Sequence, residues 1–351
     1  MSTYLYRQTL PDTPLDIVGD VHGEFSAFQA LLRRLGYQDD GTHPQGRKLV
    51  FVGDLCDRGP DSPAMLDWFK QAHSQGKAFA VLGNHELNLL VDDPKDGSGW
   101  FFDSRATQDA ANYAPWHTLP DSEKAGLKIW LAELPLILER SDLRIVHAAW
   151  LPDMLTRLDE TAGMGLVEQY RLFDRQLTET LQNADWYGDY LHEQQYFAPL
   201  AENPDIPPPP MPATARYDLA RSLAHPIRAL TSGIERSAKQ PFFAGGRWRE
   251  TCRCAWWDDY RDNIPVIIGH YWRSRLPTSS AVAAERRLLP AAADEWHGAK
   301  RNVFCVDFSI GASWRMRKFP EKYRRKPFAL AALRWPEQVL VFHDGQMMAT
   351  R

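Results

Sequence analysis

The sequence is short of cysteine and of long apolar runs, and it carries no strong charge of either sign. Its 351 residues include four cysteines, Cys56, Cys252, Cys254 and Cys305. So few exclude a disulfide scaffold and suit a reducing cytoplasm. Cys252 and Cys254 form one C-x-C with no second pair, which reads as structural or incidental rather than as a zinc site. No stretch approaches the ~18 apolar residues of a membrane span. The opening MSTYLYRQTLPD lacks the apolar core of a signal peptide. No membrane is therefore expected as a partner. Net charge is −4, so no basic field points to nucleic acid. The run Lys322, Arg324, Arg325, Lys326 reads as solvated surface. There is no internal repeat, and PPPP at 207–210 is the one low-complexity tract.

What is present is an ordinary globular composition, 44% apolar and 25% charged, and a length that allows one to three domains. Three stretches share one form: LDIVGDVHG from Leu15, LVFVGDLCDRG from Leu49 and AFAVLGNHE from Ala78. Each opens on consecutive apolar residues, as a parallel strand covered on both faces does. Each then turns at a glycine into polar residues. Asp20 with His22, Asp54, and Asn84 with His85 thus stand at carboxyl ends of strands, where open α/β sheets place their ligands.

The segments between them predict helices. From Glu24 to Leu35, Phe25, Phe28, Leu31, Leu32 and Leu35 fall on one face, and Gly36 is a stop. Ser62 to Ser74 carries Met65, Trp68 and Phe69. The order β-α-β-α-β with short loops predicts right-handed crossovers in a parallel sheet. From Pro94 to Pro120 the pattern weakens, and the stretch reads as an irregular insertion. A helix is predicted over Ser122 to Leu134, capped by Asp121 or Ser122. Further helices are predicted over Pro152 to Asp159 and Leu166 to Gln182. The aromatic segment from Asp185 to Pro212 ends in extended polyproline, read as a surface strap, with a docking site for a proline-binding partner as the alternative. Strands LRIVHA and IPVIIGH end in His147 and His270. NVFCVDFSIG, FALAALRW and QVLVFHD complete the sheets, the last two probing as an antiparallel pair.

The polar strand ends collect into Asp20, His22, Asp54, Asn84, His147 and His270. Carboxylate, imidazole and amide donors suit manganese, iron or zinc, and do not suit a thiolate site. Asp54 is central and best placed to bridge two ions. Two ions about 4 Å apart can activate water and hold a phosphoryl oxygen together. His73, His117, His192, His225, His297 and His343 lack this context. Cys56 reads as packing. Glu86 is either a partner of a ligand or a helix-start residue.

GDVHG, GDLCDRG and GNHE together resemble the signature of the calcineurin-like metallophosphoesterases, most closely their phosphoprotein phosphatase branch. IVHAAW, IIGHYW and VDFSIG resemble the later turns of that family, so the likeness runs from Leu15 to Gly311. It implies an α/β fold, a four-layer sandwich with two central mixed β-sheets, over one domain, 1–351, with insertions near 94–120 and 185–261. It implies two divalent metal ions, manganese first and iron or zinc otherwise. Asp20, His22 and Asp54 would hold one; Asp54, Asn84, His147 and His270 the other. His85 would be the general acid, with Asp57 orienting it, and the nucleophile a metal-activated hydroxide. Arg58 would bind the substrate phosphate, with Asn84 and, upstream of the last histidine, Arg247 and Arg249. His147-Ala148-Ala149 departs from the family's glycine-containing turn there. The expected activity is phosphomonoester hydrolysis of a phosphorylated peptide or small molecule. The alternative is a bis(5′-nucleosyl)-tetraphosphatase or other nucleotide hydrolase, and a non-catalytic binding protein comes last.

Overall fold

The computed structural model describes residues 5–244, 247–276, 288–289, 292–325 and 327–351. Of the stretches singled out in the sequence, 1–4, Gly245, Gly246 and Lys326 lie outside the described residues. Two mixed sheets organise the chain. One holds, in spatial order, β13 (Met347–Ala349), β12 (Val339–Phe342), β11 (Ala331–Trp335), β2 (Leu15–Val18), β3 (Lys48–Phe51) and β4 (Ala78–Ala80). The other holds β1 (Arg7–Thr9), β5 (Ile137–Arg140), β6 (Leu143–Val146), β9 (Val266–Ile268) and β10 (Val303–Cys305). β2, β3 and β4 run parallel, as the crossover connections require, while β11 joins β2 antiparallel with Leu333 opposite Ile17.

Alternation along these short strands makes the layers. Leu15, Ile17, Val50 and Val52 from one sheet meet Leu138, Ile145, Ile267 and Phe304 from the other in one core. The intervening residues Val18, Leu49, Phe51, Val146, Val266 and Ile268 face a second core shared with the helices. Each such side chain, fully buried, contributes about 1.5–3 kcal/mol. The result is the expected four-layer α/β sandwich with helices outside.

The first helices form where the apolar spacing predicts. α1 (Phe25–Leu35) buries Phe28, Leu31, Leu32 and Leu35, and Gly36 ends it at φ 92°. That left-handed residue lets the Tyr37 N–H donate to the Leu32 carbonyl at 3.1 Å, a common helix stop. In α2 (Ser62–Ser74), Asp61 caps the start by accepting the Ala64 N–H. α6 (Pro152–Asp159) and α7 (Leu166–Gln182) match their predicted limits. No described helix is long and apolar enough to cross a membrane, and all four cysteines are free.

Two expectations are corrected. The stretch 94–120 is not wholly irregular, because it holds α4 (Asp103–Tyr113). Only Asp109 and Tyr113 of that helix are buried, so it has no broad apolar stripe to betray it. The next helix, α5 (Asp121–Leu131), starts after Pro120 with no side-chain cap. Asp121 and Ser122 lie inside its first turn, and it stops short of Leu134. The segment 185–261 contains α8 (Tyr187–Tyr196), α9 (Pro212–Ala224), α10 (Pro226–Ser232) and an antiparallel hairpin, β7 (Glu235–Ala244) with β8 (Arg247–Arg253). The prolines at 207–210 are in no regular element and mostly exposed, as a surface strap is.

The amino end of β2 is held by a buried ion network. Asp16 accepts from Tyr37 Oη at 2.8 Å and from Arg47 Nε at 2.9 Å, and it pairs with Arg334 Nε at 3.1 Å. Arg47 is 4% exposed. Asp16→Ala leaves the guanidinium with Glu337 and the Leu15 carbonyl and strips the Tyr37 phenol of its acceptor, and should cost about 3 kcal/mol. Urea unfolding should show the loss as a lower midpoint at unchanged slope.

Candidate functional site

The turns after β2, β3 and β4 meet the turns after β6 and β9 at one edge of the sandwich. Asp54 stands at their centre. Its Oδ2 is 3.7 Å from His22 Nε2, 4.0 Å from His85 Nε2 and 3.4 Å from His147 Nε2. Its Oδ1 accepts the backbone N–H of His85 at 3.0 Å. Two groups with cation-holding spacing result, His22 with Asp54 and His85, and Asp54 with His147 and His270; all are buried. Both groups share Asp54. Asn84 Oδ1 lies 3.2 Å from His147 Nε2 and 2.9 Å from His270 Nδ1, which joins it to the second group. Asp20 abuts the cluster from one side, where its carboxylate takes the His270 N–H at 3.1 Å.

Backbone carbonyls set the ring orientations. His147 Nδ1 donates to the Val52 carbonyl at 2.7 Å, and His22 Nδ1 to the Cys56 carbonyl at 3.1 Å. Each Nε2 is thereby turned toward Asp54, the orientation of a metal-ligating imidazole. Close approach also demands small residues behind the ligands. A Cβ on Gly83 would lie 2.3 Å from Asp54 Oδ1, and one on Gly311 2.3 Å from His22 Cδ2. The backbone is left-handed at His22, Asp54, Asp57, Arg58 and His270, with φ between 49° and 73°. Such a concentration of costly conformations marks a functional site.

The charges inside this cluster are out of balance without a cation. Burial raises the pKa of Asp20 well above the carboxylate range, and the Asp307 carboxylate adds to it. Burial likewise opposes ionisation of Asp54, but His147, His85 and His22 hold its pKa well below the usual range. Burial would lower His147, yet Asp54 and Asp20 push it up to about 10. His22 and His270 go the other way, lowered by burial and then by Arg58 and Arg253 respectively. Buried carboxylates, lone-pair nitrogens and an amide oxygen, converging within van der Waals reach, fit divalent cations of the manganese, iron or zinc type. The thiol of Cys56 is pushed well up by burial and by Asp57, so it is no thiolate nucleophile.

Beside the cluster sits a second arrangement. His85 Nδ1 is 2.6 Å from Asp57 Oδ2, and Trp100 Nε1 donates to Asp57 Oδ1 at 2.6 Å. Asp57 is fully buried, and its N–H donates to Ser62 Oγ at 2.9 Å. The Asp57 partner fixes the His85 Nδ1–H and leaves Nε2 facing the Asp54 cluster. Arg58 Nη1 donates to His22 Nε2 at 3.1 Å, so the guanidinium lies at the cluster's rim. The segment 94–120 supports both groups: Trp100 holds Asp57, and the Arg58 N–H donates to the Gly97 carbonyl at 3.0 Å.

Glu86 is both of the things its position in the sequence allowed. It forms the capping box at the start of α3 (Asn84–Leu90), taking the Gly83 N–H at 3.1 Å. It also accepts the N–H of Asp54 at 2.9 Å and of Leu55 at 2.7 Å. Arg247 and Arg249 are not brought to the cluster. Arg247 pairs with Asp218 at 3.7 Å, and Arg249 Nε donates to the Ala244 carbonyl. Arg253 at the base of the same hairpin reaches the site instead, with Nη1 3.1 Å from the His270 carbonyl. Sequence reasoning also passed over Trp100 and Asp307. Asp307 lies inside VDFSIG and was open to discovery there; Trp100 had no local signal beyond being aromatic.

The profile of the calcineurin-like phosphoesterase family matches residues 13–206. A bis(5′-nucleosyl)-tetraphosphatase PrpE [asymmetrical] of Geobacillus thermodenitrificans is 37% identical over 42% of this chain and 61% of its own length. A symmetrical bis(5′-nucleosyl)-tetraphosphatase of Chromobacterium violaceum is 34% identical over 44% of this chain and 52% of its own length. The chain thus spans less than two thirds of either relative. Among solved structures, a cold-active protein-tyrosine phosphatase of a psychrophilic Shewanella species overlays with a TM-score of 0.47 at 16% identity, covering 98% of this chain and 83% of that one.

Glu86 supplies the test of this geometry. Glu86→Gln keeps the shape but turns an N–H group toward buried N–H donors. The expected cost is about 2 kcal/mol. Hydrogen exchange should show faster opening of the Asp54 and Leu55 amides, while the amides of β11 stay protected.

Proposed function

The chain belongs to the calcineurin-like phosphoesterase family, and we propose that it is a dinuclear metal-dependent hydrolase of phosphoric esters. The observation that carries this reading is the sharing of Asp54 between two buried cation-holding groups, with the His85–Asp57 pair beside them. In this reading 1–351 is one catalytic unit, and its insertions near 94–120 and 185–261 govern substrate choice. Asp20, His22 and Asp54 would hold one divalent ion, and Asp54, Asn84, His147 and His270 the other. Manganese is the first choice, with iron or zinc the others. Ions bound there would lower the pKa of water and offset charge on the phosphoryl oxygens.

The chain's own residues would do the rest. Arg58 would present a planar, cationic fork to phosphate oxygens. Asn84 and Arg253, which stand on the other side of the cluster, would complete the phosphate contacts; Arg253 takes the place first given to Arg247 and Arg249. His85 would deliver a proton from Nε2 to the departing alkoxide, which leaves poorly without one. Asp57 holds the ring through Nδ1, and Trp100 holds Asp57. The free thiols agree with a reducing compartment.

The first substrate reading is a phosphorylated peptide or small phosphomonoester, since no long basic track serves a polyanion. The second is a dinucleoside tetraphosphate, favoured by the names of the relatives found. Comparing kcat/KM for a phosphopeptide and for diadenosine tetraphosphate at saturating manganese decides between them. A preference of about tenfold for the dinucleotide, ~1.4 kcal/mol of transition-state binding, selects the second.

Two outcomes test the site itself. Manganese titration of metal-stripped protein should plateau near two ions per chain, and Asp54→Ala should abolish both activity and the rise in Tm that bound metal confers. A plateau at one ion with full activity removes the bridging role. His85→Asn should lower kcat by about 10²–10⁴ on alkyl phosphates, at unchanged metal content. The loss should be smaller on p-nitrophenyl phosphate, whose leaving group needs little protonation. Equal losses on both esters would leave His85 a structural residue.

A further inference from the structure

Past His270 the chain takes a costly path. Trp272 has φ 43°, a left-handed conformation rare for a bulky aromatic residue. Asp307, itself buried, holds it there. The Trp272 N–H donates to Asp307 Oδ2 at 2.9 Å and the Ser309 N–H to Oδ1 at 2.7 Å, while the Arg273 N–H donates to the Asp307 carbonyl at 2.8 Å. The consequence is a local inversion of burial. Tyr271 and Arg273 are buried, and the tryptophan between them is 39% exposed. Burying an indole is among the largest apolar gains a side chain offers. Here a buried carboxylate and a strained backbone hold the ring at the surface instead.

The ring stands beside the phosphate-binding arm of the proposed site. Arg58 Cζ lies 5.0 Å from the Trp272 ring centroid, and Arg58 Nη1 touches His22. One guanidinium therefore links the indole to the Asp54 cluster. A guanidinium can meet a ring with its face and phosphate oxygens with its edge at once. A phosphate held by Arg58 would have whatever it carries within reach of the indole.

We propose that Trp272 is a specificity-determining residue whose indole stacks on a planar aromatic group of the substrate, a nucleobase or a phenol ring a few bonds from the phosphorus bound at Arg58. This deepens the phosphoric-ester reading and rests on it. Tyr271 and Arg273 cannot serve, being buried, and Arg58 alone sees only the phosphate. Base–aromatic stacking of this kind is sequence-tolerant, so it selects for the presence of a ring rather than for its identity.

The test uses substrate pairs that differ only in the ring. Adenosine 5′-monophosphate is compared with ribose 5-phosphate, and 2-phenylethyl phosphate with 2-cyclohexylethyl phosphate, on manganese-loaded wild type, Trp272→Ala and Trp272→Phe. Trp272→Ala should lower the ring-to-no-ring ratio of kcat/KM by about tenfold (~1.4 kcal/mol), through KM, in at least one pair. Trp272→Phe should keep that ratio within about threefold of wild type. A fall confined to the first pair assigns the stack to a nucleobase, and one confined to the second to a phenyl ring. Unchanged ratios in both pairs overturn the proposal, even where all four rates drop together, because that pattern is lost support for Arg58. Should wild type turn over none of the four, the phosphoric-ester reading fails by itself. Calorimetric binding of adenosine 5′-monophosphate against ribose 5-phosphate then still reads the stack, and equal affinities for the two in wild type overturn it.

Discussion

The carboxylate of Glu86 is the constraint from which the site is built. It is fully enclosed, and it gathers N–H groups from two separate turns, Asp54 and Leu55 after β3 and Gly83 after β4. Its partners include the Cys56 thiol at 3.3 Å. Buried polar groups of this kind are tolerated only when satisfied. Satisfying Glu86 forces the second and third turns into one relative position. Asp54 is then aimed at the middle of the cluster, and the His85 N–H, presented by the same helix start as Glu86, closes on Asp54 Oδ1. His85 and the shared carboxylate are thus placed by one helix turn.

A second layer of support comes from the stretch between α3 and α5. Trp100 and Gly97 reach back to Asp57 and Arg58, which occupy consecutive left-handed positions, φ 73° and 67°. Neither residue would hold that backbone alone. The strain is absorbed by contacts from a segment anchored in the core by its own aromatics, Trp100 and Phe101. Loops carrying function on a rigid scaffold commonly divide labour this way. Here the sheets fix where the turns begin, and the segment 94–120 fixes which way the side chains of Asp57 and Arg58 point.

The fold was legible because its strands are continuous apolar runs ending in glycine, and its first helices have clear stripes. Asp20, His22, Asp54, Asn84, His147 and His270 were legible as a set because each follows such a strand. What escaped lacked a periodic signal. β1 and β5 are three and four residues long, too short for alternation to register. α4 buries one side by two residues only. The hairpin β7–β8 carries Pro241 and a register shift between Ser237 and Phe242, which breaks its period. That same hairpin defeats an argument from distance along the chain: it carries Arg247 and Arg249 away along α9 and brings Arg253, nearer in sequence to His270, to the site. Trp100 could not be read at all, because its meaning is one hydrogen bond to a residue more than forty positions earlier.

The order of strands in the larger sheet has a consequence for the newly made chain. β2, which delivers Asp20 and His22, lies between β3 and β11, and the Gly19 N–H beside Asp20 donates to the Ala331 carbonyl. Synthesis proceeds from the amino end, so β2 waits for a partner made more than three hundred residues later. Until then one edge of an apolar strand stands open, a state that invites mispairing. The first-made site residues are therefore among the last to be locked in place. The placement of Asp20 and His22 beside Asp54 is complete only once β11 has been made and has paired with β2.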